Sequence, residues 1–382
     1  MTLPSFLSDR PLRLGTRGSP LALVQARMTA GALCARHGLA PDMIETVVVQ
    51  TSGDRIQDRA LAEIGGKALW TKELDRALTA GEIDFAVHSM KDVETLRPPA
   101  IRIAAMLPRA DARDRLVGAA SFEALPNNPV VGSSSPRRAA QVKRLRPDAN
   151  VILFRGNVAT RLAKLASGEA DATLLAAAGL DRLGRSDVGT TISLDVMLPA
   201  PSQGAVGIET LSDNAEMLAL LAAINDADTY DCVMAERSVL KGLGGTCHSP
   251  IAALAQMQGG EIALRAEILS ADGREVVSDG CAPARSFAPC SKHDAGHHPA
   301  ARTGRWRNRR PRRKAWPCRL SLPPVRTTRS CVGRACRSAV RRPVADQRAG
   351  RAAGGAATGG LPQSSRLCGR WRDGPRAGGA GI

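Results

Sequence analysis

Residues able to do chemistry gather at a few turns of this 382-residue chain. Arg17 stands just ahead of Ser19-Pro20, a pair that reads as a helix cap and first helical residue. SSSPRR at 133–138 joins three hydroxyls to Arg137 and Arg138 at another helix start. FRGNVATR at 154–161 puts Arg155 at a strand end and Arg161 one turn into a helix. Helix N-termini and Ser hydroxyls bind anions, and Arg grips carboxylates or phosphates through paired bonds. Taken one at a time, each Arg reads as solvated surface or an ordinary salt bridge. Three such turns, all at strand ends or helix starts, point to an anionic ligand at the edge of an α/β sheet. Neither standard Gly-rich phosphate loop is present, which argues against a nucleotide.

Two further strings carry reactive groups. AVHSMKD at 86–92 places Lys91 and Asp92 just beyond a predicted strand. A strand-end Asp beside a Lys is a candidate acid–base or charge-stabilising group. On pattern alone the plainer reading is a turn or cap Asp with its counter-charge. His88, inside the apolar strand, reads as a packed, hydrogen-bonded imidazole. GLGGTCHSP at 242–250 exposes Cys247 in a Gly-rich loop beside His248. Such a thiol is either a nucleophile or attachment point, or an incidental exposed Cys. Cys281, Cys290, His293 and His297 match no standard metal spacing, so no metal site is expected.

The elements that must position these groups alternate in the manner of an α/β protein. Strands are predicted at 12–16, 44–50 and 83–89, and helices from Ser19-Pro20 onward and at 71–81. A second set comprises a strand end, turn and helix over 130–145, a strand at 151–154 and a helix at 157–168. Strand then runs into helix over 172–180. The stretch 198–209 is rich in small residues and Pro, like a crossover between domains. Helices at 214–225 and 229–242 lead to the Cys247 loop, and three short strands follow as a meander with GG and DG turns.

Charge divides the chain at the same point where this alternation stops. The net charge of +17 is −3 over residues 1–280 and +20 over residues 281–382. Arg, Ala, Gly and Pro make up 61 of those last 102 residues, against ten Ile, Leu, Val, Met or Phe. Such a segment buries too little apolar surface to offset chain entropy, so a disordered basic tail is expected. The overall charge is therefore no sign of a specific nucleic-acid partner. No apolar run reaches membrane-spanning length, and no secretory signal is evident. Cys34, Cys232 and Cys247 form no disulfide framework, which fits a reducing, cytoplasmic setting.

Nine strings occur in order: TRGSPLALVQA, GGKALWTKELDRAL, DFAVHSMKDV, VGSSSPRRAAQ, FRGNVATRL, LLAAAGLDRLG, LPAPSQGAVGIE, AERSVL and GGTCHSPIAA. Together, over about residues 12–280, they closely resemble the porphobilinogen deaminase family. The resemblance implies three α/β domains, two of them similar to periplasmic-binding-protein domains around a cleft, the third small and here truncated. The implied boundaries are 1–109 with 205–225, then 110–204, then 226–280. It implies a transferase that joins four porphobilinogen molecules head to tail, releasing ammonia at each step. A dipyrromethane primer, one per chain, would be thioether-linked to Cys247. Asp92 matches the family's catalytic Asp. Lys91, Ser135, Arg137 and Arg138 match cofactor-side contacts. Arg17, Ser19, Gln25, Arg155, Arg161 and Gln203 match substrate-side contacts, and Lys67 lies in a loop like the family's lid. A monomer is expected, with no membrane and no specific nucleic acid as partner. Ser202 stands where Gly is frequent in the family. After residue 280 the resemblance ends, and a frameshift in GC-rich DNA accounts for the Arg/Ala/Gly/Pro composition. Two other readings stand beside this one: a non-catalytic binding protein of the same fold, and a nucleic-acid binder acting through the tail.

Overall fold

The computed structural model describes Leu7 and residues 9–50, 71–246 and 248–281. All of them belong to one compact unit. Lys67, Cys247 and the tail beyond Cys281 lie outside the described residues.

Three sheets organise the chain. The first joins β1 (Leu12–Arg17), β2 (Ile44–Val49), β3 (Phe85–Ser89), β4 (Ile101–Met106) and β10 (Val206–Leu211). Their order is β2-β1-β3-β10-β4, with β1 parallel to β2 and β3, and β10 antiparallel to β3 and β4. The second joins β5 (Asp114–Val117), β6 (Val130–Gly132), β7 (Asn150–Ile152), β8 (Ala172–Ala176) and β9 (Thr190–Thr191). Its order, β7-β6-β8-β5-β9, repeats the same plan: three parallel strands, then one antiparallel insert and an edge strand. The chain thus passes between the two sheets twice, after β4 and again before β10. The third sheet is the antiparallel meander β11 (Ile251–Gln258), β12 (Glu261–Leu269) and β13 (Val276–Cys281).

Helices cover these sheets where their apolar faces demand it. On the first sheet, α1 (Pro20–His37) contributes Ala26 and Leu33 to a core with Leu12, Leu14, Phe85 and Ile208. Also there are α2 (Lys72–Thr79), which buries Leu74 and Leu78, and α6 (Ala215–Ala222), which buries Met217 and Leu221. Helices α3 (Pro136–Leu145), α4 (Val158–Ala166) and α5 (Ala177–Arg182) belong to the second sheet. Helix α7 (Ala227–Gly242) packs Cys232 and Ala235 against Ala255 of the third.

Most boundaries fall within two or three residues of those predicted. The notable difference is residues 206–211. Small residues and Pro over 198–209 suggest a plain crossover, yet VGIETL is a nearly fully buried strand between β3 and β4 of the first sheet. Strands β4 and β5 were also not predicted. Each depends on pairing with a strand roughly a hundred or sixty residues away, which local pattern does not register.

Candidate functional site

Asp92 is delivered by β3. That strand is buried on both faces and runs into a 3₁₀ turn, Met90–Asp92, closed by the Val93 N–H on Met90 O at 3.2 Å. Met90 anchors the turn against Gly207 of β10. A Cβ at Gly207 would lie 2.0 Å from Met90 Sδ, so a larger residue there would displace the turn. Asp92 lines a recess with Arg17, Ser19, Gln25, His88 and Ser89. Ser19 Oγ accepts the Ala22 N–H at 3.3 Å and caps α1, as its sequence position predicted. The buried Gln25 amide donates to Ser89 Oγ at 2.8 Å.

The second sheet supplies the cations. Beyond β6, Ser135 caps α3 by accepting the Arg138 N–H at 3.4 Å, and Pro136 takes the first helical position. Arg161 Nη2 donates to Ser134 Oγ at 3.0 Å, and its Nε to Gly156 O at 3.0 Å. Arg155 follows the buried Phe154, whose ring fills the space over Gly132, where a Cβ would meet it at 2.3 Å. Arg137 and Arg138 are both buried and share Asp114. Arg138 Nη2 lies 2.7 Å from its Oδ1, and Arg137 Nη1 2.9 Å from its Oδ2. Gln203 Nε2 also donates to Asp114 Oδ1, at 2.7 Å.

The two walls act on each other. Burial pushes the Lys91 ammonium down to about 8; Asp92 opposes this, and Arg138 and Arg137 of the second sheet add to it. Arg161 is pushed down to about 10 by burial and by Arg138, again with Asp92 opposing. Lys91, Arg138 and Arg161 therefore form a partly desolvated cationic group, with Asp92 as the carboxylate among them. Asp114 is held well below the usual carboxylate range: Arg137, Arg138 and Gln203 outweigh the opposing effect of its burial.

This donor set suits a ligand carrying several carboxylates. Each bound carboxylate would return Lys91 and Arg161 toward their ordinary pKa and replace lost hydration with charge-assisted hydrogen bonds. A dipyrromethane, with acetate and propionate arms, has that chemistry. Among the described residues no cluster of His, Cys, Asp or Glu could hold a metal ion.

Around Cys247 the described neighbours form a turn. Thr246 N–H donates to Ser249 Oγ at 3.1 Å and His248 N–H to Thr246 Oγ1 at 3.2 Å. Thr95, three residues after Asp92, donates its hydroxyl to Gly245 O at 3.3 Å.

Sequence reasoning did not single out Asp114, Glu209, Arg97 or Glu236. Glu209 is fully buried, 3.1 Å from His88 Nε2, and takes Arg97 on both oxygens at 2.8 and 2.9 Å. Despite burial it is pulled down to about 2 by His88 and Arg97. Glu236 binds Arg109 at 2.7 Å and the Ala255 N–H at 2.7 Å. A usable signal existed for one of these: Glu209 interrupts the apolar run AVGIETL, and a charge inside a strand needs a buried partner.

Two repeated mixed sheets, crossed twice by the chain and meeting at a cationic group around one turn-borne carboxylate, define an α/β protein shaped for a polycarboxylate ligand. Known proteins give that class a family. The family described as porphobilinogen deaminase, dipyromethane cofactor binding domain, matches residues 12–219, and its C-terminal domain matches residues 230–284. The chain is 60% identical over 276 residues to a porphobilinogen deaminase of Sphingopyxis alaskensis, covering 71% of this chain and 88% of that one. It is 52% identical over 273 residues to the Paracoccus denitrificans protein of the same name, covering 71% and 87%. This chain belongs to the porphobilinogen deaminase family. Among solved structures, the VFT2 domain of Bordetella pertussis BvgS aligns at a TM-score of 0.34 and 14% identity, covering 62% of this chain and 98% of that one. A periplasmic His/Glu/Gln/Arg/opine family-binding protein from Silicibacter pomeroyi aligns at 0.30 and 18%, covering 61% and 92%.

Proposed function

We propose that Asp92 is the acid–base and charge-stabilising carboxylate of the reaction that this family performs. The reaction itself follows from membership: the chain is a transferase of tetrapyrrole biosynthesis that condenses four porphobilinogen molecules head to tail into hydroxymethylbilane. At each joining a carbon–nitrogen bond breaks, ammonia leaves, a carbon–carbon bond forms, and the attacking pyrrole carbon gives up its proton; after the fourth joining water cleaves the bond to the primer and supplies the product's hydroxyl. The dipyrromethane cofactor, when bound, supplies the nucleophilic pyrrole to which the first unit is added.

The chain's own residues then take these roles. Asp92 stabilises the positive charge that develops on pyrrole nitrogens as ammonia departs, and accepts the displaced proton. Lys91, Ser135, Arg137 and Arg138 hold the cofactor's carboxylates; Ser135 also caps α3, and the two arginines stay braced on Asp114. Arg17, Ser19, Gln25, Arg155, Arg161 and Gln203 serve the substrate side, Gln203 through its bond to Asp114. Cys247 bears the primer, and Lys67 matches a position of the family's lid. The observation that carries this reading is the place of Asp92, whose charge acts on Lys91 beside it and on Arg161 of the other sheet.

The sheet pattern supports a division into 1–109 with 205–225, then 110–204, then 226–280. Among the described residues no helix is long and apolar enough to cross a membrane. We infer a cytoplasmic monomer. We also infer that 281–382 is the product of a frameshift, a reading supported by the family match ending at residue 284. Translating the other two frames of the gene should restore an amphipathic helix within about 35 residues, two to three times the usual helix length. If neither frame does, the tail is genuine.

Intact-protein mass spectrometry after brief exposure to porphobilinogen tests the functional assignment. A primer increment on Cys247 and further additions in steps of one pyrrole unit are expected. An unmodified chain that binds porphobilinogen without turnover would instead make this a binding protein.

A further inference from the structure

Arg237 projects from α7 and is 5% exposed. Its guanidinium collects three consecutive carbonyls: Nη1 donates to Val93 O at 3.2 Å, and Nη2 to Glu94 O and to Thr95 O, the last at 3.4 Å. These carbonyls directly follow Asp92 and belong to no helix or strand. Without Arg237 the buried Val93 carbonyl and the half-buried Glu94 and Thr95 carbonyls would lose this donor, which is costly for the buried one above all.

The same short segment is held from its other side. Glu94 accepts Arg97 Nη1 at 2.7 Å and Thr71 Oγ1 at 2.7 Å. Arg97 is in turn fixed on Glu209, which also pairs with His88. Thr95 reaches Gly245, so the segment touches the Gly-rich loop through a side chain and α7 through its backbone. Burial, and the nearby Arg97, disfavour the Arg237 charge and hold its pKa below the ordinary value, Glu209 and Glu94 offsetting only part of this. A buried cation spent on main-chain carbonyls is an expensive way to fill space, since an apolar side chain of similar size would do so without desolvating a charge. What the guanidinium fork adds is geometry: it sets one backbone segment against another.

We propose that Arg237 is a positioning residue that fixes the Asp92 turn relative to α7 and the loop leading to Cys247. This rests on the catalytic reading of Asp92 given above. Arg237 touches no reacting atom; it acts through the carbonyls of residues 93–95, and Thr95 is the second point of the same clamp. The clamp keeps the carboxylate at one distance from the segment that anchors the growing product, so each condensation starts from the same geometry.

Arg237→Lys and Arg237→Ala are compared with wild type as full-length, primer-loaded proteins, the loaded fraction being read by intact mass. A displacement on the order of 1 Å at a reacting group costs up to about a hundredfold, so kcat per loaded enzyme should fall at least about tenfold in Ala and less in Lys. KM for porphobilinogen should stay within about twofold, because the Arg groups that grip its carboxylates are untouched. Amide hydrogen exchange of 93–97 should quicken while β1 and β3 keep their protection. Under limiting substrate, covalent species should pile up at early additions. If kcat per loaded enzyme and exchange at 93–97 both match wild type while only the melting temperature drops, Arg237 is merely structural and the proposal fails. Should Arg237→Ala not fold, Arg237→Lys with Thr95→Val makes the same comparison. Asp92→Asn is run alongside: if it retains wild-type turnover, the catalytic reading itself is wrong, whatever Arg237 does.

Discussion

Asp114 Oδ1 accepts Arg138 Nη2 at 2.7 Å, and both side chains are buried. The pair changes how the adjacent arginines of SSSPRR should be understood. They are not two free forks awaiting a ligand; they share a carboxylate that the chain itself supplies, and Arg137 and Gln203 complete its hydrogen bonding. Asp114 thereby braces α3 against β5 and against the crossover that carries Gln203. Removing one partner of a buried ion pair leaves the other charge uncompensated, typically at about 3–5 kcal/mol. Asp114→Ala should lose stability of that order in urea unfolding, and Asp114→Asn less, since an amide still accepts one hydrogen bond. The depressed pKa sets the pH window: stabilisation by Asp114 is present above the ordinary carboxylate range near 4 and is lost as pH falls below it. Wild type should therefore lose stability on acidification more steeply than Asp114→Asn.

Lys91 gives a test with the opposite sign. Its ammonium is pushed from 10.5 down to about 8, because burial and the neighbouring arginines disfavour the charge. Below about 8 the folded, unliganded protein bears that penalty in full, and the penalty fades as pH rises toward 10.5. Lys91→Met should be more stable than the unliganded wild type at pH 7, and the advantage should shrink across that interval. A bound polycarboxylate reverses the preference, so the same variant should retain the dipyrromethane primer poorly. Thermal melts from pH 7 to 10, with intact mass for primer occupancy, separate the two effects.

Ser202 concerns the backbone. Its φ of 67° lies in the left-handed region, while its N–H donates to the buried Glu236 carboxylate at 2.5 Å. That bond, and the Arg109 contact to the same carboxylate, hold the crossover in place. A side chain in this conformation costs roughly 1–2 kcal/mol, part of which glycine gives back through its greater entropy when unfolded. Ser202→Gly should raise stability by about 0.5–1 kcal/mol, seen as a higher urea midpoint at unchanged slope. A lower midpoint would mean that the serine hydroxyl contributes more than the strain removes.

What the sequence revealed of this molecule followed the range of the forces involved. Ser19 and Ser135 cap their helices through bonds three residues long, and a local string displays such a device in full. Arg155, Arg161 and Asp92 stood out because each sits at a strand end or helix start, positions that hydrophobic period locates. Asp114 did not, since its meaning depends on Arg137, Arg138 and Gln203, which come from three distant segments. Residues 206–209 look locally like the end of a crossover because their pairing with β3 and β4 spans roughly a hundred residues or more. The clamp of Arg237 on residues 93–95 was illegible for the same reason, compounded by acceptors that are main-chain carbonyls and so carry no residue signature.

Asp92 is the sharpest test, because two independent readouts bear on one substitution. Asp92→Asn keeps size and hydrogen-bonding capacity but removes the charge and the proton acceptor. Loss of a positioned acid–base group typically costs 10²–10⁴-fold, and turnover of porphobilinogen should fall by about that much. The second readout needs no substrate. Asp92 holds up the pKa values of both Lys91 and Arg161 against burial, so its neutralisation should lower both. Lys91 would then be uncharged at a lower pH, and its rate of reductive methylation at pH 7.5 should rise above wild type. Lost turnover with faster Lys91 methylation places the carboxylate in the cationic group. Lost turnover with unchanged Lys91 reactivity would mean that Asp92 acts elsewhere, and the electrostatic link between the two sheets would have to be abandoned.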